Sequence, residues 1–120
     1  MNIKEKFKAI MTNHVKNQVK NIDLPTFDNG DIIRKNFVFT GRVQKVGFRF
    51  EVYLIAKKLG LTGWVKNTDE GEVEAEIQGN KDKIEFLIKF MKSLKRIKIV
   101  EIKEQTIDIN DKENKFIIIN

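Results

Sequence analysis

Cysteine is absent from this 120-residue chain, and histidine (His14), proline, tryptophan and tyrosine each occur once. Without cysteine, disulfide frameworks, thiolate metal sites and cysteine nucleophiles are excluded. A single histidine excludes a histidine-rich metal site and argues against a serine–histidine–aspartate triad. The chain also lacks an apolar run near ~18 residues and a signal-peptide pattern, so we expect no membrane span and a cytoplasmic location.

The length fits one domain with its own core, since domains usually run about 100 to 150 residues. The net charge of +6 comes from 23 Lys and Arg against 17 Asp and Glu, and residues 1–35 and 36–120 each carry +3 of it. A modest positive field favours anionic ligands, which include phosphorylated metabolites, nucleic acid and acidic membrane surfaces. Composition alone leaves these classes open.

Apolar residues at spacings of three and four predict an N-terminal helix over residues 1–25, which ends at Pro25. We therefore divide the chain into a helical extension with its linker, residues 1–34, and a domain, residues 35–120. The basic amphipathic helix has three possible positions: packed on the domain, against a second copy or another partner, or on an anionic membrane. Packing or self-association is favoured, because Glu5 and three asparagines weaken a membrane-binding face.

After residue 35 the periodicity predicts the order strand, helix, strand, strand, helix, strand and a short final strand. The predicted strands are residues 37–42, 63–68, 72–78, 97–109 and 116–119, the fourth bent at Ile99-Val100, and the predicted helices are 48–59 and 84–94. Two helices on one face of an antiparallel sheet in this order give an α+β fold, the ferredoxin-like α/β sandwich. That fold hosts many functions, so function has to be argued from a site.

The segment from Gly41 to Arg49 leads from a strand through a loop into the start of a helix. Such a junction presents unpaired backbone N–H groups and the positive end of a helix dipole, which suits an anion the size of phosphate. Arg49 falls in the first helical turn, where its guanidinium opposes the dipole unless an anion lies between them. On spacing alone, a structural loop and an anion site both remain open.

Gly41–Arg49 resembles the acylphosphatase signature Gly-x-Val-Gln-Gly-Val-x-Phe-Arg, and Gly63–Thr68 resembles that family's second signature, Gly-Trp-Val-x-Asn. The two motifs stand in the right order with the expected helix between them, and Phe116-Ile117-Ile118 resembles the closing strand. The resemblance covers roughly residues 35–120 and nothing in the extension.

The resemblance implies a metal-free, cofactor-free enzyme that hydrolyses the carboxyl–phosphate bond of small acyl phosphates. Arg49 would bind the phosphoryl group, Asn67 would hold the attacking water, and phosphate or sulfate would bind as a site ligand. The main-chain N–H groups of Arg42, Val43, Gln44, Lys45, Val46 and Gly47 would cradle the phosphoryl oxygens. These parts suffice chemically, because a carboxylate is a good leaving group and phosphoryl transfer depends mostly on positioning and charge stabilisation.

The sequence departs from the family pattern at Lys45, where the family prefers glycine. If the backbone there needs a positive φ, lysine costs on the order of 1 kcal/mol, and we expect it to tune activity rather than abolish it. A catalytically weak or inactive anion-binding or interaction domain of the same fold remains the alternative.

Nucleic-acid binding is the rival class, because RNA-recognition modules share the strand–helix order. Those modules need aromatic and basic residues on the third strand. Here that strand carries Glu72, Glu74 and Glu76 on its outer face, which would repel phosphate. We therefore expect no nucleic-acid partner, and the same carboxylates are expected to be solvated rather than to bind a metal.

Overall fold

The computed structural model describes residues 2–120, which form three helices and five strands. The helices are α1 (Ile3–Lys20), α2 (Phe48–Leu59) and α3 (Lys81–Ser93), and the strands are β1 (Ile32–Arg42), β2 (Thr62–Asn67), β3 (Val73–Asn80), β4 (Lys98–Ile107) and β5 (Phe116–Ile119). No helix within residues 2–120 combines the length and the apolar character needed to cross a membrane.

The strands form one sheet in the order β4-β1-β3-β2-β5. The first four pair antiparallel, and β5 joins parallel to β2, so the sheet is mixed. The inner face carries the buried aromatic and aliphatic residues that pack with α2 and α3. The predicted ferredoxin-like sandwich with an added N-terminal helix is confirmed, and β5 extends its antiparallel part by one parallel strand.

The outer face of the sheet is polar, and its carboxylates are paired across strands. Glu72 accepts a hydrogen bond from Thr40 Oγ1 at 3.0 Å, and Glu76 accepts from the guanidinium of Arg34 at 2.9 Å. Arg34 is buried and also donates to Glu113 at 2.7 Å. These charges therefore stabilise the sheet rather than standing free in solvent.

Most element boundaries differ from those predicted by up to three residues, and two of them differ by five. Strand β1 begins at Ile32 instead of residue 37, because its first residues pair with the end of β3. Helix α1 ends at Lys20 instead of at Pro25. At this helix end Lys58 Nζ donates hydrogen bonds to the carbonyl oxygens of Val19 at 2.9 Å and Ile22 at 2.8 Å. The ammonium thus satisfies carbonyl groups that the helix end leaves unpaired.

The bend predicted in the fourth strand is a bulge. Thr40 of β1 pairs with Glu101, whereas the next residue, Gly41, pairs with Ile99, so Val100 has no partner across the ladder. One residue is thus inserted in β4 opposite the point where β1 runs into the loop before α2. Bulges increase local twist and redirect the chain, which suits the edge of a site.

Helix α1 packs on the domain with its second half only. Val15 and Val19 are buried in the core, while Phe7, two turns before Val15, is 69% exposed and Ile3 and Ile10 are similarly exposed. Helix α1 is therefore anchored at its C-terminal end, and residues 3–10 in its N-terminal half are exposed.

Candidate active site

The loop of residues 43–47 connects β1 to α2, and its backbone donors are free. The N–H groups of these five residues donate no hydrogen bond to any acceptor within residues 2–120. Gly47 caps the start of α2 in the left-handed conformation, with φ of +76°, and provides no side-chain cap. The loop therefore presents consecutive N–H groups at a helix N-terminus, the arrangement that binds oxyanions.

Two side chains from distant parts of the chain hold this loop. Gln44 Nε2 donates to the carbonyl oxygens of Thr68 at 3.0 Å and Glu72 at 2.7 Å, which ties the loop to the turn between β2 and β3. Arg96 Nε donates to the Val46 carbonyl at 2.8 Å. Because C=O and N–H point in opposite directions across a trans peptide, this bond turns the next N–H, that of Gly47, away from Arg96.

The guanidinium of Arg96 is the hub of a partly buried network. It forms an ion pair with Glu51, which is fully buried in α2, and donates to Gln18 Oε1 of α1 at 3.1 Å. Burial raises the pKa of Glu51, while Arg96 and the nearby His14 favour its ionised form. Arg96 thus links α1, α2 and the loop around Val46.

Arg49 and Asn67 line one cavity of about 730 Å³. Arg49 projects from the first turn of α2, and its guanidinium makes no hydrogen bond or ion pair within residues 2–120. Asn67 ends β2, and its Oδ1 is buried without a hydrogen-bond partner in the same range. Buried polar atoms are nearly always paired in folded proteins, so this oxygen is a hydrogen-bond acceptor that no residue within 2–120 uses, on a residue that lines the cavity.

The remaining loop residues named from the sequence divide into two groups. Val43, Lys45 and Gly47 line the cavity. Gln44 and Val46 make the loop-holding contacts described above, and Arg42 is an exposed residue at the end of β1, outside the cavity lining. The structure therefore brings Val43, Lys45 and Gly47 of the loop to the cavity that Arg49 and Asn67 line, and leaves Arg42 outside.

Lys45 has φ of +65° and is the one residue other than glycine with a positive φ among residues 2–120. The backbone at this position thus adopts the left-handed conformation. This is the condition under which lysine is predicted from the sequence to strain the loop. The side chain of Lys45 is exposed at the cavity.

Among the described residues that line the cavity, four are cations and none is an aspartate or a glutamate. Arg49 and Lys45 come from the loop region, and Lys4 and Lys8 come from α1. Sequence reasoning missed the two lysines of α1 as site residues, since only tertiary packing brings the helix to the loop. It missed Arg96 for the same reason, because no local motif connects residue 96 to residue 46.

Comparisons with known proteins agree on one family. A family model described as acylphosphatase matches residues 35–118. An acylphosphatase of Picrophilus torridus is 40% identical over 75 residues, which are 62% of this chain and 93% of the relative. One of Clostridium perfringens is 37% identical over 86 residues, 71% of this chain and 97% of the relative. The crystal structure of acylphosphatase from Bacillus subtilis matches with a TM-score of 0.68 at 30% identity and covers 73% of this chain and 99% of that chain. Helix α1 lies before the segment that the family model matches.

Proposed function

The chain belongs to the acylphosphatase family and hydrolyses acyl phosphates, and we propose that Arg49, Asn67 and the amides of residues 43–47 carry out this reaction. The observation that supports the assignment most is the cavity shared by an unpaired guanidinium and an unpaired buried carboxamide oxygen. Arg42 is the last residue of β1 and pairs with Lys98 of β4, so the proposed cradle is narrowed from residues 42–47 to the five residues of the loop, 43–47.

In this mechanism Arg49 and the loop amides bind the phosphoryl oxygens. A planar guanidinium donates two parallel hydrogen bonds to a phosphoryl group, which an ammonium cannot do. The loop amides add donors whose orientation is fixed before the substrate arrives, so the charge that spreads over the equatorial oxygens meets dipoles already in place.

Asn67 directs the nucleophile. Its Oδ1 accepts a hydrogen bond from water, which leaves a lone pair of the water oxygen facing phosphorus. The water oxygen forms the new bond to phosphorus as the bond to the acyl oxygen breaks, and the electron pair of that bond leaves with the carboxylate. One proton of the water goes to the phosphate or to solvent. The leaving group needs no acid, because a carboxylate is stable as an anion.

Release of phosphate from benzoyl phosphate tests this assignment. We expect Arg49→Ala to lose on the order of 100- to 1000-fold in rate, as is typical when one donor to a transition-state oxyanion is removed. By analogy we expect a loss of similar size for Asn67→Ala, which removes the group that orients the water. Arg49→Lys keeps the charge but loses the forked geometry, so it should recover only part of the rate. The matched controls are Lys57→Ala, which removes an exposed cation later in α2, and Asn114→Ala, which removes an exposed carboxamide in the turn before β5.

Losses below about tenfold in both the Arg49 and Asn67 variants would contradict the assignment of these residues. Wild type that is no faster than Arg49→Ala would favour the alternative, an inactive anion-binding domain. The curated relatives favour the enzyme.

The division of the chain into an extension, residues 1–34, and a domain, residues 35–120, is part of the same proposal. It is supported by the family match, which begins at residue 35. A contact of α1 with a second copy or another partner stays a prediction, for which Ile3 and Ile10 are exposed apolar side chains on that helix. Light scattering of the full chain, with and without Ile10→Ser, measures the oligomeric state that this prediction concerns.

A further inference from the structure

Helix α1 contributes a whole wall of the cavity that contains Arg49 and Asn67. The wall consists of Lys4, Phe7, Lys8, Met11, Thr12 and Val15. This wall lies outside the segment matched by the family model, residues 35–118. The opposite side of the cavity, which contains the loop, Arg49 and Asn67, lies within that segment. The cavity is therefore composite, with a phosphoryl side inside the family match and a second side supplied by the extension.

The position of this wall is fixed by contacts with the loop itself. A Cβ atom built on Gly47 would lie 3.3 Å from Met11 Cγ and 3.5 Å from Val15 Cγ2, so α1 rests directly on the last residue of the loop. The hydrogen bond from Arg96 to Gln18 and those from Lys58 to the end of the helix hold the same half of α1. The helix is thus anchored beside the phosphoryl side of the cavity.

From that anchor the helix extends its free half over the rest of the cavity. At a rise of about 1.5 Å per residue, Phe7 lies about 6 Å further along the axis than Met11, and Lys4 about 10 Å further. Lys4 and Lys8 are four residues apart and so share one helix face, with Phe7 between them along the same side. Moving away from the loop, the wall consists first of Val15, Thr12 and Met11 and then of Lys8, Phe7 and Lys4, so both lysines lie beyond Met11.

The size and charge of the cavity exceed what a phosphoryl group needs. A cavity of about 730 Å³ falls in the range of pockets that enclose whole small-molecule ligands, about 300 to 1,000 Å³. Arg49 and the loop amides already provide for the phosphoryl oxygens. Phe7 and Met11 of α1, with Ile118 of β5, offer apolar surface, and the two lysines of α1 are cations beyond those at the phosphoryl side.

We propose that α1 forms the acyl subsite of this enzyme and selects acyl phosphates whose acyl group has an apolar body and a second anionic group at its far end. The inference rests on the proposed function, since it takes the loop and Arg49 as the phosphoryl side. Phe7 and Met11 contact the apolar body, and Lys4 and Lys8 pair with the distal anion, either a carboxylate or a phosphate.

Three synthetic substrates test the subsite: acetyl phosphate, benzoyl phosphate and 4-carboxybenzoyl phosphate. For the wild-type full chain we expect kcat/KM to rise in that order. In Lys4→Gln/Lys8→Gln, the ratio of kcat/KM for 4-carboxybenzoyl phosphate to that for acetyl phosphate should fall about tenfold, mainly through KM. In Phe7→Ala, the ratio of benzoyl to acetyl phosphate should fall about fivefold or more.

Lys6→Gln/Lys16→Gln is the matched control, because it removes the same charge from exposed positions of α1 that do not line the cavity. It should leave every ratio unchanged. Equal ratios in all variants, or a fall of equal size in the control, would overturn the acyl subsite. Failure of the proposed function gives a different result: hydrolysis of acetyl phosphate would then be insensitive to Arg49→Ala.

Discussion

Replacing Arg96 by alanine gives the sharpest test of how the site is held. The variant loses the donors to Val46, Gln18 and Glu51 together, while Arg96 itself is not in the cavity lining. The main consequence falls on Glu51, which is fully buried and whose second carboxylate oxygen already has no partner within residues 2–120. Without Arg96, His14 is the one other described side chain that favours the ionised form of Glu51.

The loss in the free energy of unfolding depends on how Glu51 avoids being a buried, unpaired charge. Breaking a buried ion pair from one side costs about 3 to 5 kcal/mol, but a carboxylate can take up a proton instead. Protonating Glu51 at pH 7 costs about 1.36 kcal/mol for each of the 2.5 units between its ordinary pKa of 4.5 and the pH. The cost of the unpaired carboxylate therefore cannot exceed about 3.4 kcal/mol at pH 7. At pH 5 the same limit is about 0.7 kcal/mol.

The sign of the pH dependence follows from the pKa of Glu51, which burial raises in the folded state and which rises further without Arg96. From pH 4.5 upwards the folded variant binds more protons than the unfolded chain. Its free energy of unfolding therefore falls as pH rises through that window. The lost bond to Val46 adds about 1 to 2 kcal/mol at every pH.

Urea unfolding at pH 5, 6 and 7 measures these free energies. Arg96→Ala should be destabilised by up to about 5 kcal/mol at pH 7 and by up to about 3 kcal/mol at pH 5. Adding Glu51→Gln should remove the pH-dependent part, and Lys95→Ala, at the exposed neighbouring residue, should change little. A penalty that is equal at all three pH values, or one that survives unchanged in the double variant, would refute this account of Glu51.

Two further predictions concern the loop. Lys45→Gly should raise the free energy of unfolding by about 1 kcal/mol in urea titrations, because glycine adopts a φ of +65° without strain, whereas Lys45→Ala should not raise it. A hundredfold or greater rise in the turnover of Lys45→Gly would show that the lysine is inhibitory. Gly47→Ala and Gly60→Ala both introduce a side chain at a φ above +70°, but only the first meets Met11. We therefore expect Gly47→Ala to lose more stability and most of the phosphate release, and Gly60→Ala to keep its rate; similar rates in the two variants would count against the contact between α1 and the loop.

The sequence predicted those parts of the fold whose signals are local. Helix α2 and strand β5 have the predicted bounds, because a periodic apolar face and adjacent turn residues define each one. The start of β1 was not found, since Arg34 looks like a surface residue until Glu76 and Glu113 are brought to it from far along the chain. That β5 runs parallel to β2 is likewise decided only by the assembled sheet.

The candidate site divides in the same way. Arg49, Asn67 and the left-handed backbone at Lys45 could be argued from two short motifs, because each motif places several side chains through one local turn. Arg96 and the wall from α1 could not, because their partners are separated from them by tens of residues. The resemblance covers the domain alone and therefore gave no information about what lies over its cavity.

Met11 and Val15 of α1 contact Gly47 of the loop, so the packing of the helix and the conformation of the loop depend on each other thermodynamically. If an oxyanion bound to the loop favours the docked helix, then docking of the helix must favour the oxyanion by the same free energy, since coupling between two sites is reciprocal. Fraying of the first helix would then weaken the hold on phosphate, and occupancy by product would slow amide hydrogen exchange more than thirty residues away in the chain. Amide hydrogen exchange in α1 would then report whether the loop has an oxyanion bound.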